Sequence, residues 1–244
     1  MLNLEPNSCL VWGIVGNLGG GKTLTAVRFA VEGMIEGYFV VSNITLDMDK
    51  ICSCYGEHLR GLYLHIDLSK DDPFTFPCGD PRGSGGKRRV LVVLDECAEY
   101  FDQYSNTKKD VTRFMSWLRH SSKRSQDVFF VCQRQEYMAR NVRTLIARWV
   151  WVDDLAVYRW PFLRIKTPFC GHLVMRNVFD RQGDRVDVPT FITKKYWGQF
   201  YNTAECISVV GAGNAYVYQR PPHGHGWPLW LWFYFFTLGL LFYV

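Results

Sequence analysis

Gly16-Asn-Leu-Gly-Gly-Gly-Lys-Thr23 fits the pattern G-x-x-x-x-G-K-[ST] at every position. Before it stands Leu10-Val-Trp-Gly-Ile-Val15, a short apolar run that predicts a buried strand. After it, Leu24, Val27, Ala30, Val31 and Met34 recur at helical spacing over residues 22–35 and stop at Gly37. Strand, glycine loop and helix in that order build a phosphate cradle. Backbone N–H groups turn inward where no side chain interferes, and the helix N-terminus adds partial positive charge. In ATP, Lys22 would reach the β- and γ-phosphates, and the Thr23 hydroxyl would ligate Mg²⁺. Gly16, Asn17, Leu18, Gly19, Gly20 and Gly21 are the remaining nucleotide-binding candidates.

The second half of such a site is a carboxylate at the end of a buried strand, and Val90-Leu-Val-Val-Leu-Asp95-Glu96 supplies it. Asp95 would join the Mg²⁺ shell, and Glu96 would activate the attacking water. A third element is Lys123-Arg-Ser-Gln-Asp-Val-Phe-Phe-Val-Cys-Gln-Arg134. Gln133, ending a strand beside the Asp-Glu strand, is a candidate sensor of hydrolysis. Arg124, just before that strand, would sit far from its own nucleotide and could reach a neighbour's as an arginine finger. Thr107-Lys-Lys-Asp110 has the letters of a guanine-reading motif but follows a polar stretch rather than a strand, so a GTPase is disfavoured. A small-molecule kinase would not need the Asp-Glu pair.

Outward from these motifs, Tyr38-Phe-Val-Val41 reads as another strand and residues 109–120 as a helix with Val111, Phe114, Met115 and Leu118 inward. The cysteine-rich stretch after residue 41 reads as turns, and residues 79–89 as an exposed loop. Strands alternating with helices predict an α/β fold, a mainly parallel sheet between helices. Residues 149–152, 156–165, 172–179 and 186–191 read as strands of a small antiparallel β annex spanning about 149–193, closed by a helix over 194–204.

The composition is globular: 244 residues, 48% apolar, net charge +5. That excludes wholesale disorder. The excess charge is local, since residues 108–143 hold nine Lys/Arg and three acids, a candidate surface for nucleic acid or another anion. The N-terminus lacks a basic signal-peptide start, and the eight cysteines suit a reducing compartment. Cys52, Cys54, His58, His65 and Cys78 contain no Cys-x₂-Cys knuckle and make a poor zinc set. Residues 208–226 read as a linker. Residues 227–244 carry no charge and nine aromatic side chains; as a helix they would span roughly 27 Å, which predicts a C-terminal transmembrane helix. Lys194, Lys195 and Arg220 precede it, so the positive-inside tendency places the body in the cytoplasm.

The glycine loop, Leu94-Asp-Glu-Cys-Ala-Glu-Tyr-Phe101, Trp117-Leu-Arg-His120, residues 127–133 and Tyr201-Asn-Thr-Ala-Glu205 together resemble the zonular occludens toxin family. That family includes the gene I assembly proteins of filamentous phages. The 124–134 run is also similar to the FtsK/HerA class of ring ATPases. The resemblance covers residues 8–207. It implies a P-loop ATPase domain over 1–207, a homo-oligomeric ring (a hexamer), and single-pass anchoring in the bacterial inner membrane. It further implies ATP hydrolysis coupled to translocation, in the export of filamentous phage particles or their DNA. Phage coat proteins, single-stranded DNA and an outer-membrane export channel would be its partners. Two rival readings are an intracellular DNA translocase or packaging ATPase, and a nucleotide-binding membrane scaffold with little turnover.

Overall fold

Three strands carry no polar face at all, and they form the middle of the sheet. A computed structural model describes residues 10–68, 70–79, 89–96, 109–154, 173–180 and 182–201. In it β1 (Val11–Val15) and β4 (Val90–Leu94) are buried at every residue, and so is β5 (Gln126–Cys132). Continuous burial is what a parallel strand covered on both faces requires. Alternate residues serve opposite layers. Trp12, Ile14, Leu91, Val93, Phe129 and Val131 pack with α1 (Lys22–Ile35). Val11, Val15, Val92, Leu94, Val128 and Phe130 pack with Phe114 and Trp117 of α3 (Lys109–His120). Both helices occupy the residues that the periodicity predicts.

With β2 (Phe39–Ser42), β3 (Tyr63–His65), β6 (Arg148–Asp154), β7 (Leu173–Phe179) and β8 (Arg185–Thr193), the sheet has eight strands in the order β3-β2-β4-β5-β1-β6-β7-β8. The first six are parallel, and β7 and β8 are antiparallel additions. The fold is α/β with a mostly parallel sheet. The strand after the Asp-Glu strand is inserted between it and the strand that feeds the glycine loop.

The structure corrects the sequence reading in three places. Trp149-Val-Trp-Val152 lies in β6, which pairs antiparallel with β7 as expected but also parallel with β1, so the annex is continuous with the main sheet. Its alternation looked like a one-sided strand, but Val150 and Val152 bury against the α1 layer while Trp149 buries on the other face. The antiparallel pairs are β6–β7 and β7–β8. A second helix, α2 (Met48–Tyr55), occupies the stretch read as turns, started by the Asp47 side chain, which accepts from the Lys50 N–H. The closing helix is one turn, α4 (Lys194–Trp197), followed by a 3-10 turn at Gly198–Phe200. The expected strand over 156–165 lies outside the described residues.

The chain divides into two units, Met1–Cys206 and Ile207–Val244. All described residues belong to the first. Among them no helix is long and apolar enough to cross a membrane; residues 227–244 lie outside them.

Candidate nucleotide-binding site

The loop between β1 and α1 is shaped by what cannot fit there. A Cβ on Gly16 would lie 2.2 Å from the Val152 carbonyl oxygen of β6. A Cβ on Gly20 would meet the Asn17 carbonyl at 2.9 Å. Gly19 (φ 70°) and Gly21 (φ 93°) adopt left-handed conformations that a side chain would strain. Gly21 leads directly into α1, and no side chain caps that helix. Its first N–H groups, which have no partner four residues back, are therefore presented to the loop. The Asn17 carbonyl accepts from both Gly20 N–H and Lys22 Nζ, each at 2.9 Å. Leu18, at the tip, is 85% exposed.

Asp95 is brought to this loop by β4. Its Oδ2 accepts the Thr23 hydroxyl at 2.7 Å, joining residues 72 positions apart. Its Oδ1 accepts the Glu96 N–H at 2.8 Å. Burial raises the pKa of the Asp95 carboxyl, opposed by these two hydrogen bonds and by Lys22. Burial lowers the Lys22 pKa, and Asp95 and Glu96 hold part of that shift back. A hydroxyl and a carboxylate oxygen in contact at the mouth of a phosphate loop form a hard-oxygen pair, which suits Mg²⁺. Glu96 is exposed and, unusually for a residue with a side chain, has φ 55°. Burial pushes the Cys132 thiol up to about 12, so it stays protonated at the end of β5.

Strand order then places the other candidates. Val15 of β1 pairs with Cys132 of β5, so Gly16 and Gln133 leave the sheet side by side. Leu94 pairs with Phe130, which puts Asp95 on the same edge. Lys22, Thr23, Asp95, Glu96 and Gln133 thus lie at the same end of the sheet. Arg124 does not join them. It lies before β5, roughly 23 Å away along the strand, and its Nη2 donates to the carbonyls of Phe74 (2.9 Å) and Phe76 (2.7 Å) of its own chain. The basic run is divided in the same way, with Lys123 and Arg124 at one end of β5 and Arg134 at the other.

Sequence reading missed Asn43, one residue past β2. Its Oδ1 accepts the Asp95 N–H at 2.7 Å and its Nδ2 donates to the Asp95 carbonyl at 2.9 Å. The available signal was positional: a polar amide ending the strand that neighbours β4. Among the described residues no three His, Cys, Asp or Glu side chains are grouped to hold a metal, and Cys54, Cys78, His58 and His65 are exposed.

Comparison with known proteins places these features in a family. The family model described as zonular occludens toxin (Zot) matches residues 13–196. The gene 1 protein of Escherichia phage If1 is 27% identical over 165 residues, 67% of this chain and 45% of that one. The gene 1 protein of Enterobacteria phage fd is 25% identical over 234 residues, 88% of this chain and 65% of that one. The chain therefore spans about half to two thirds of the length of these relatives. The N-terminal domain of zonular occludens toxin from Neisseria meningitidis superposes with a TM-score of 0.48 at 16% identity, over 80% of this chain and 99% of that one.

Proposed function

The chain belongs to the zonular occludens toxin family, and from that we propose that it is a P-loop ATPase of filamentous phage assembly. The observation that carries the enzymatic part is the 2.7 Å contact between Thr23 and Asp95. It joins the phosphate loop to the Asp-Glu strand while β5 delivers Gln133 to the same edge.

In this reading the loop N–H groups and the α1 N-terminus bind the phosphates of ATP. Lys22 leaves the Asn17 carbonyl to meet the β- and γ-phosphates. Thr23 and Asp95 hold Mg²⁺, which supplies positive charge at the phosphate oxygens when bound. Glu96 takes the proton of the attacking water, and Gln133 reports on the γ-phosphate. A guanidinium from a neighbouring subunit in a ring completes the charge around the leaving group, with Arg124 the candidate from the sequence. Residues 227–244 anchor the protein in the inner membrane with the body cytoplasmic, and turnover drives export of phage particles or their DNA. That the gene 1 relatives are phage proteins, and that residues 227–244 are uncharged and aromatic, supports that assignment.

ATP turnover of the detergent-purified full chain, with and without single-stranded DNA, tests the reading. Lys22→Ala should lose most MgATP affinity. Glu96→Gln should bind MgATP normally and turn over about 10²- to 10⁴-fold more slowly. Turnover raised by single-stranded DNA supports DNA as the cargo. Binding without turnover in the wild type would identify a nucleotide-dependent scaffold instead.

A further inference from the structure

Asn43 holds both sides of one residue. Its carboxamide oxygen takes the Asp95 N–H and its amide nitrogen gives to the Asp95 carbonyl. The carbonyl belongs to the peptide that joins Asp95 to Glu96. The N–H of that same peptide is bound by the Asp95 carboxylate. Both polar ends of the Asp95–Glu96 peptide are therefore fixed, one by Asn43 and one by the Asp95 carboxylate. Immediately beyond it Glu96 adopts φ 55°. A residue with a side chain keeps such a backbone only where its surroundings hold it there.

Resting on the assignment of Glu96 as the base, we infer that Asn43 is a positioning residue for ATP hydrolysis: its clamp on Asp95 sets the backbone from which the Glu96 side chain is aimed. The task needs one donor and one acceptor at fixed spacing, which a carboxamide has and a carboxylate or an aliphatic side chain does not. Without the clamp the peptide can rotate and Glu96 can relax to negative φ, which carries its carboxylate away from the attacking water. Lys22 and the contact of Thr23 with Asp95 Oδ2 do not involve that peptide, so nucleotide and metal binding are spared.

The test is a double-mutant cycle in the full chain. Asn43→Ala should lower kcat about 10- to 100-fold, the scale seen when an orienting partner is removed. The KM for MgATP and the Mg²⁺ concentration giving half-maximal rate should stay within about threefold. On a Glu96→Gln background, Asn43→Ala should not lower the residual turnover further, because the side chain it aims is already disabled. Asn43→Asp, which keeps the acceptor but loses the donor, should be at least as slow as Asn43→Ala. If Asn43→Ala slows Glu96→Gln as much as it slows the wild type, Asn43 acts independently of Glu96 and the inference is overturned. Wild-type kcat in Asn43→Ala overturns it too, provided that Glu96→Gln is itself slow. Wild-type turnover in Glu96→Gln would instead remove the base assignment. If Asn43→Ala does not fold, Asn43→Ser runs the same cycle with the same outcomes.

Discussion

Gly16→Ala adds a single methyl group at the point where the phosphate loop leaves β1. The new Cβ would start 2.2 Å from the Val152 carbonyl oxygen, and ordinary contact begins near 3.4 Å. The two backbones must part by about 1.2 Å. Neither is free to do so. β1 and β6 are paired from Trp12↔Arg148 to Val15↔Trp151, and the neighbouring Val15 and Val152 are buried. Opening the end of this ladder loses one or two hydrogen bonds at about 1 kcal/mol each. Overpacking adds about 1–3 kcal/mol. The sum, about 2–5 kcal/mol, corresponds to a fall in melting temperature of roughly 5–15 °C for a domain of this size. Displacing the loop by about 1 Å should also cost about 100-fold in kcat/KM. Gly19→Ala is the control, since a Cβ there meets nothing within 4 Å and the penalty is left-handed backbone strain alone, about 1–2 kcal/mol. Thermal melts and MgATP turnover of both variants decide it. A Gly16→Ala protein that melts and turns over like the wild type would mean that β6 does not support the loop as described.

Two further predictions concern the opposite edge of the sheet. Arg124→Ala removes both bonds to the Phe74 and Phe76 carbonyls and should cost about 2–3 kcal/mol, seen in a thermal melt. Rings mixed from Arg124→Ala and Lys22→Ala subunits should regain turnover if Arg124 also serves a neighbour; no recovery assigns it to holding its own chain. Asp127 is buried, accepting from the Leu10 N–H and from Arg89, and burial pushes its carboxyl up to about 6. Between about pH 4 and pH 6 the fold thus binds a proton that the unfolded chain has released. The stability this carboxyl contributes is present at low pH and is lost as pH rises through that window. The melting temperature of the wild type minus that of Asp127→Asn should fall from pH 4 to 6, and a flat difference refutes the argument.

The parts of this fold written in local pattern were legible in the sequence. The glycine loop, α1 and α3 follow from spacing alone, and β1, β4 and β5 from unbroken apolar runs. Asp95 and Glu96 were legible because a buried strand must deliver its last residues somewhere. What failed depended on partners distant in the chain. Val150 and Val152 look one-sided until β6 is placed beside β1, where Trp149 is buried as well. α2 is short and only its inner side is apolar, with Ile51 and Cys52 buried, so cysteines and charges masked it. Asn43 is an ordinary polar residue until β2 and β4 are neighbours.

The insertion of β5 and β6 around β1 has a consequence for biosynthesis. Among the described strands β1 leaves the ribosome before the others, yet there it pairs with strands beginning at Gln126 and Arg148. At about 5–20 residues per second, Val11–Val15 waits roughly 6–25 seconds for its first neighbour. Throughout that interval an apolar strand with two open edges must be kept from pairing elsewhere. Nascent chains halted before residue 126 should therefore engage holding chaperones, and release from them should coincide with emergence of β5 and β6. A strand at the centre of the finished sheet is made long before the neighbours that protect it.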